Sequence, residues 1–344
     1  MSLYRRKIQS VGGGSYTVSL PKEWIRRVGL NKGSEVLMVV EPDNTLRIIP
    51  SEKNTSVEDH VTIQVGGLDF WHTIRLIVSY YMAGVNTLNI IVDKPEPNFT
   101  KELREFVSKR LMGVEVVEES SHQLTLQSIV DTTALTLPKS LNKLSKTVGY
   151  MLEDIASAIE RNDPNTLLDV VARDDIVDKF YVYIARQLTL ALRGKLSLES
   201  VGVGSLAEAS LYKMVAKIFE RIGDHAHNIA KSLLDYYNVA NSLAPKCVRE
   251  SLLDQLKSLI ESYWTTTKIV QTLDVNDVEK QIASAEKLRE HVTRLYRESL
   301  CVEPALLGLM LRVIESMKRV IDYTIDLLES TLDIVAIKNL DGRA

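Results

Sequence analysis

The chain has 344 residues and a formal net charge of −3, with 45% hydrophobic and 25% charged residues. That balance belongs to a soluble globular protein with room for two or three domains. No apolar run approaches the roughly 18 residues that a membrane span needs, so no membrane insertion is expected. The N-terminal "MSLYRRKIQSVGGGS" is basic but has no apolar stretch, which excludes a secretory leader. Cys247 and Cys301 lie far apart without a CxxC pair, so neither a disulfide framework nor a thiolate zinc site is expected. A cytoplasmic location follows from these features.

The charge is unevenly spread. Residues 1–50 carry eight Lys/Arg against four Asp/Glu, residues 51–130 seven against eleven, and the remainder 27 against 30. A basic head on a mildly acidic body points to contact with an anionic surface. In residues 1–52, "YRRKIQSV" and "SYTVSLP" read as strands around a glycine turn at Gly12, Gly13 and Gly14. "KEWIRRVGL" reads as a short helix, and "SEVLMVVEP" and "TLRIIPS" as strands joined at Pro42-Asp43-Asn44. So short a β-rich segment buries little surface alone, and interlocking with a second copy would supply the rest.

Residues 58–131 predict a small α+β module in the order β-α-β-α-β-β, its two helices closed by Gly84 and Gly113 and its loose loop at Pro95 and Pro97. From about Thr136 the strand pattern gives way to apolar residues at three- and four-residue spacing. Prolines at helix starts and capping patterns at Asp163, Ser205–Glu208 and Asn276–Glu279 divide the segment. Six helices are predicted, over 138–161, 164–194, 205–240, 245–273, 277–300 and 304–338, forming two three-helix units, 136–240 and 245–340.

In "KIFERIGDHAHNIAKSLLD", Glu220, Asp224 and Asn228 stack on one face around a mid-helix glycine, Gly223. The preceding helix has "RDDIVDKFY", where Asp174 and Asp178 repeat the i, i+4 spacing. Four carboxylates from neighbouring helices can converge on a hard or borderline cation such as iron, manganese or magnesium. Met214, Ile218, Ile222, His225 and Ile229 fall on the opposite side, which places the acids outward or sideways. The alternative is a solvated face, with Lys213, Lys217 and Lys231 in ion-pair ladders. Asp224 and His227 spell a D-x-x-H, but a di-iron bundle uses a Glu-x-x-His on two helices and no second copy occurs. Trp24 and Trp71 read as core anchors rather than base-stacking platforms.

Two resemblances sharpen this reading. "GSYTVSLPKEWIRRVGLNKGSEVLMVV" resembles the swapped-hairpin DNA-binding fold of the SpoVT/AbrB family over about residues 3–50. It implies a homodimer presenting Arg5, Arg6, Lys7, Lys22, Arg26 and Arg27 to double-stranded DNA. Domains of that kind also serve as protein-binding antitoxins. "FERIGDHAHNIA" and "RDDIVDKFY" are similar to the signature helices of the PhoU phosphate-uptake regulators, over about residues 136–340. That resemblance implies tandem three-helix bundles carrying metal ions (iron, zinc, manganese or magnesium) on E/D-x-x-x-D motifs, matched here by Asp174, Asp178, Glu220 and Asp224. The second unit departs from the motif. Lys318 stands where Glu220 would repeat, Arg289 and Thr293 stand where Asp174 and Asp178 would, and Glu286/Glu290 and Asp322/Asp326 are shifted pairs.

The expected protein is therefore multidomain: a β-rich AbrB-like head, a small α+β module and an all-α PhoU-like domain. Its expected function is DNA-binding regulation of phosphate homeostasis. The alternative is an adaptor that does not bind DNA and regulates a phosphate-transporter ATPase or a signalling protein by contact. No nucleophile–base set, P-loop or dinucleotide fingerprint occurs, so no catalysis is expected; a metal-dependent hydrolase or oxidase is the third reading.

Overall fold

The computed structural model describes residues 3–12, 14–40, 45–50, 59–93, 98–129 and 134–342. The chain divides into two compact bodies, Met1–Glu58 and Asp59–Ala344.

In the first body, β1 (Gln9–Val11) pairs antiparallel with β2 (Ser15–Thr17), and β3 (Val36–Val40) with β4 (Leu46–Pro50). The first two strands are shorter than their apolar runs predict. Between the hairpins lies α1 (Lys22–Val28), which ends at Gly29 with φ 73°, a left-handed conformation that a residue without Cβ adopts at little cost. The turn expected at Pro42-Asp43-Asn44 lies outside the described residues, as does Gly13. Leu30 is buried, but Ile8, Tyr16, Leu37, Met38 and Val40 remain exposed. Among the described residues, nothing of their own body covers these apolar side chains.

The second body opens with the expected β-α-β-α-β-β order. The elements are β5 (His60–Gln64), α2 (Phe70–Met82), β6 (Thr87–Ile91), α3 (Phe99–Arg110), β7 (Val114–Glu119) and β8 (Gln123–Ser128). The sheet order is β5-β6-β8-β7; β5 and β6 run parallel and the other pairs antiparallel. Ile63, Ile90 and Leu124 of the sheet share a core with Ile77, Leu103 and Val107 of the helices. Pro95 and Pro97 lie outside the described residues. Trp71 departs from expectation: it is 59% exposed, at the start of α2, with its ring edge-on to Phe70 and Phe106. Trp24 is half-buried on α1.

Six long helices follow: α4 (Leu137–Arg161), α5 (Pro164–Leu192), α7 (Leu206–Ala240), α8 (Arg249–Thr272), α9 (Val278–Glu298) and α10 (Pro304–Leu340). A four-residue helix, α6 (Leu198–Val201), lies in the α5–α7 connection. The Asp163 carboxylate caps α5 by accepting from Asn165 N. Ser205 caps α7 by accepting from Glu208 N, while the Glu208 carboxylate accepts from Gly204 N. Pro245 does not begin a helix. Residues 245–248 close a turn through Val248 N to Pro245 O (3.2 Å), and α8 starts at Arg249. Nor are the two three-helix units separate bodies. α7 packs along both α5 and α10, and α4 packs against α8, so one apolar core runs through both.

Cys247 and Cys301 form a disulfide between the α7–α8 connection and the turn before α10, contrary to the sequence reading. The 54-residue separation hid the pairing, because α8 and α9 run out and back and return the chain to its starting end. The cysteines therefore give no support to a reducing compartment.

The α+β module docks on α5, which is why α5 is buried on more than one face. Arg186, 2% exposed, donates to Tyr81 O (2.7 Å), Val85 O (2.9 Å) and Asn86 Oδ1 (3.0 Å) at the end of α2. Tyr81 O and Val85 O are carbonyls at the end of a helix and in its following turn, groups with no intrahelical donor, and Asn86 Oδ1 is the side-chain oxygen beside them.

On the opposite flank of α5, Gly223 permits close approach. A Cβ there would lie 2.8 Å from Val177 Cγ1 on α5 and 3.4 Å from Val148 Cγ2 on α4. Alanine would gain about 1 kcal/mol of helix propensity, against about 1–3 kcal/mol for overpacking a filled interface. Gly223→Ala should therefore lower the melting temperature, and the loss should shrink in a Val177→Ala background. A melting temperature raised by Gly223→Ala alone would show that the interface has slack.

Candidate functional site

On α7, Glu220 lies three residues before Gly223 and Asp224 directly after it, and the facing stretch of α5 carries Asp174 and Asp178. One oxygen each from Asp178, Glu220 and Asp224 lies within 4.8 Å of the other two. Asp174 sits one turn away on α5, its Oδ2 3.6 Å from His227 Nδ1. Of the two placements open to the acids, outward or sideways, the structure has the sideways one, against the neighbouring helix. Glu220 is only 7% exposed, and Asp174, Asp178 and Asp224 are half-buried at the α5–α7 contact. Met214, expected on the apolar side, is 44% exposed. Asn228 is also exposed, so the stripe ends at Asp224. His225 packs as expected, its ring 5.8 Å from that of Tyr323 on α10.

Desolvation dominates the electrostatics. Burial pushes the Asp178 carboxyl up to about 6, with Asp174 adding to the shift and Arg110 opposing it. Burial likewise raises Asp224 to about 6, reinforced by Asp174 and Asp178. Asp174 and Glu220 are raised by burial too, against the opposing effects of His227 and Lys217 respectively.

Two cations lie against the cluster. Lys217, three residues before Glu220, pairs with Glu220 Oε1 and sits 4.7 Å from the Tyr181 ring centre. Arg110, the last residue of α3, pairs with Asp175 and with Asp178 Oδ2 (2.5 Å). Sequence reading missed Arg110, which lies 68 residues from Asp178 in a different module. Its position at a helix C-terminus carried no chemical signal.

The donor set suits a hard or borderline cation: three convergent carboxylates, with a fourth one turn away. Glu220 Oε2 and Asp174 Oδ1 are buried and accept no hydrogen bond. A buried carboxylate oxygen without a donor is costly, and a cation is a partner that would satisfy it.

The second unit is built differently. Asp322 accepts from Arg289 Nη1 (3.1 Å) and lies 3.5 Å from Arg319 Nη1, and Lys318 pairs with Glu315 at 3.4 Å. Glu286, Glu290 and Asp326 are exposed. Side-chain cations stand there among the acids, and among the described residues only the α5–α7 group gathers three ligating carboxylates.

Residues 141–233 match the family model described as the PhoU domain. That part of the chain is similar to PhoU domains. The matched span runs from α4 through most of α7 and contains all four carboxylates. A 95-residue stretch is 33% identical to the "Phosphate-specific transport system accessory protein PhoU homolog" of Caulobacter vibrioides, in two strains. The match covers 28% of this chain and 38% of the relative. Residues 9–56 match the model described as "Antidote-toxin recognition MazE, bacterial antitoxin". Neither matched span reaches the α+β module.

That second match takes in α1 and both hairpins. Lys22, Arg26 and Arg27 are exposed on α1, and Arg5, Arg6 and Lys7 are exposed on the irregular segment before β1. The Tyr4 hydroxyl donates to Glu23 Oε2 (2.6 Å) and ties this segment to α1. Glu23 is the one acid among residues 1–30. Arg27 borders a groove with Tyr4, Pro21, Trp24 and Ile48.

The raised carboxyls predict a pH dependence for metal-free protein. The folded carboxyls hold protons up to about pH 6, whereas unfolded ones release them near the ordinary carboxylate range. The folded state is thus the more protonated between about pH 4 and 6, and stability falls as pH rises through that window. In chelator, melting temperature should drop between pH 5 and pH 7 by more in wild type than in Asp178→Asn/Asp224→Asn. Equal slopes would mean that the carboxyls ionise without strain.

Proposed function

We propose that the chain is a regulator of phosphate uptake that binds double-stranded DNA through its head and a metal ion through its PhoU domain. The observation that carries this reading is the pairing in one chain of two features. One is a head with exposed basic residues on α1 and on the segment before β1 and an antitoxin-type match; the other is a PhoU-like domain in which two buried carboxylate oxygens, of Asp174 and Glu220, lack donors. Asp178, Glu220 and Asp224 would hold the ion, with Asp174 as a fourth oxygen ligand. A divalent or trivalent cation there relieves the repulsion among the carboxylates and links α5 to α7, so occupancy stabilises the fold by mass action. No catalytic step is assigned to the site.

The head would act as a homodimer. Its exposed apolar strands need a partner surface, and a second copy of the same strands supplies one of matching chemistry. The paired α1 helices and N-terminal segments would then form a basic surface for phosphate contacts, with affinity falling steeply with salt.

The antitoxin description favours a second reading, in which the head binds protein rather than DNA and the chain acts as an adaptor for a transport or signalling partner. A salt titration of binding to randomised duplexes separates the two. The first reading predicts two chains per duplex. It also predicts that Lys22→Ala/Arg26→Ala/Arg27→Ala weakens binding to all sequences and lowers the salt slope by up to about one unit per lost contact. Unchanged affinity and slope in the triple variant would favour the adaptor.

A further inference from the structure

The carboxylate site is not closed by the PhoU domain alone: one of its three convergent acids is held by a residue from the α+β module. Arg110 Nη1 lies 2.5 Å from Asp178 Oδ2, and its other amino group pairs with Asp175. The guanidinium also rests on the Phe106 ring at 5.5 Å. One helical residue further along α5, Lys179 Nζ donates to Ser108 O (3.2 Å) in the last turn of α3. The end of α3 therefore meets α5 through polar contacts, one of them on an oxygen that a cation would also need.

We propose that Arg110 is the module's own counter-ion for this carboxylate site, so that a bound metal ion and the docked end of α3 compete for Asp178. The inference rests on the metal reading given above and adds to it a route by which occupancy reaches the module. Oxygen ligands stand about 2.0–2.6 Å from such ions. An arginine so close to the same carboxylate repels a metal cation and cannot relieve that repulsion by losing its proton. Either the guanidinium leaves Asp178 or the metal binds more weakly.

Lys217 differs in kind. It lies on α7 itself, and its flexible stem can turn away from Glu220 without moving another element. Arg110 is the α3 side of the contact between two elements, so when its guanidinium leaves Asp178 the end of α3 loses an attachment to α5. The attachment of α2 is independent of the site, because Arg186 holds its carbonyls from deep in the α5 interface. Metal should thus loosen α3 while α2 stays anchored, and by linkage a loosened α3 should favour metal.

Titration of the full chain with manganese(II) or zinc(II) tests this in wild type, Arg110→Ala, Arg110→Lys and Arg104→Ala. Arg104 pairs with Glu119 inside the module and serves as a control for lost surface charge. Arg110→Ala should bind metal about tenfold more tightly, while Arg110→Lys and Arg104→Ala should stay near wild type. Hydrogen exchange in wild type should rise on metal addition over residues 104–112 and stay unchanged over residues 77–86. Equal or weaker binding by Arg110→Ala, or unchanged exchange at the end of α3, would overturn the coupling while leaving the metal site standing. No binding of either metal by any variant would overturn both.

Discussion

Carboxylates placed in a helix–helix contact repel one another and lose hydration, and much of this structure follows from how that cost is met. Glu220 and Asp224 flank Gly223, and the missing Cβ at 223 brings Val177 within van der Waals reach. The close approach that seals the α5–α7 contact is also what strips water from Asp174, Asp178 and Glu220. Burial raises each carboxyl above its ordinary value, and two buried oxygens accept no hydrogen bond. A contact built only for stability would place apolar side chains here, so the acids point to a ligand that supplies positive charge.

The protein's own cations meet part of that demand. Lys217 answers Glu220 from the same helix, and Arg110 answers Asp178 from another module. In the second unit the substitution is more complete, since Arg289 and Arg319 both lie on Asp322. The two halves share a continuous core, yet among the described residues only the first leaves buried carboxylate oxygens without a donor. That contrast sets the candidate site in the half that matches the PhoU domain.

The helical half was legible because its signals are local. Period, proline and capping residues place α4, α5, α7, α9 and α10 to within a few residues. The misses are all long-range or context-dependent. Pro245 carries a helix-start signal, but the chain spends residues 245–248 on a turn that brings Cys247 to Cys301. Helical spacing puts the acids on one face, outward or sideways, but does not say which neighbour that face meets or that Glu220 is buried there. Arg110 was invisible because nothing in an α3 C-terminus announces a carboxylate 68 residues away. In the head, strand propensity overran the real strands, whose short pairings leave apolar side chains for another surface to cover.

The central claim is that the α5–α7 carboxylates are held in deficit of positive charge. It is tested most directly by the melting temperature of chelator-treated protein against added iron, manganese or zinc, with elemental analysis of the purified chain. Wild type should carry bound metal and melt higher on metal addition, whereas Glu220→Gln/Asp224→Asn should show neither. Metal-free purified protein whose melting is unmoved by all three ions would contradict the account and leave the cluster as an ion-paired helix contact.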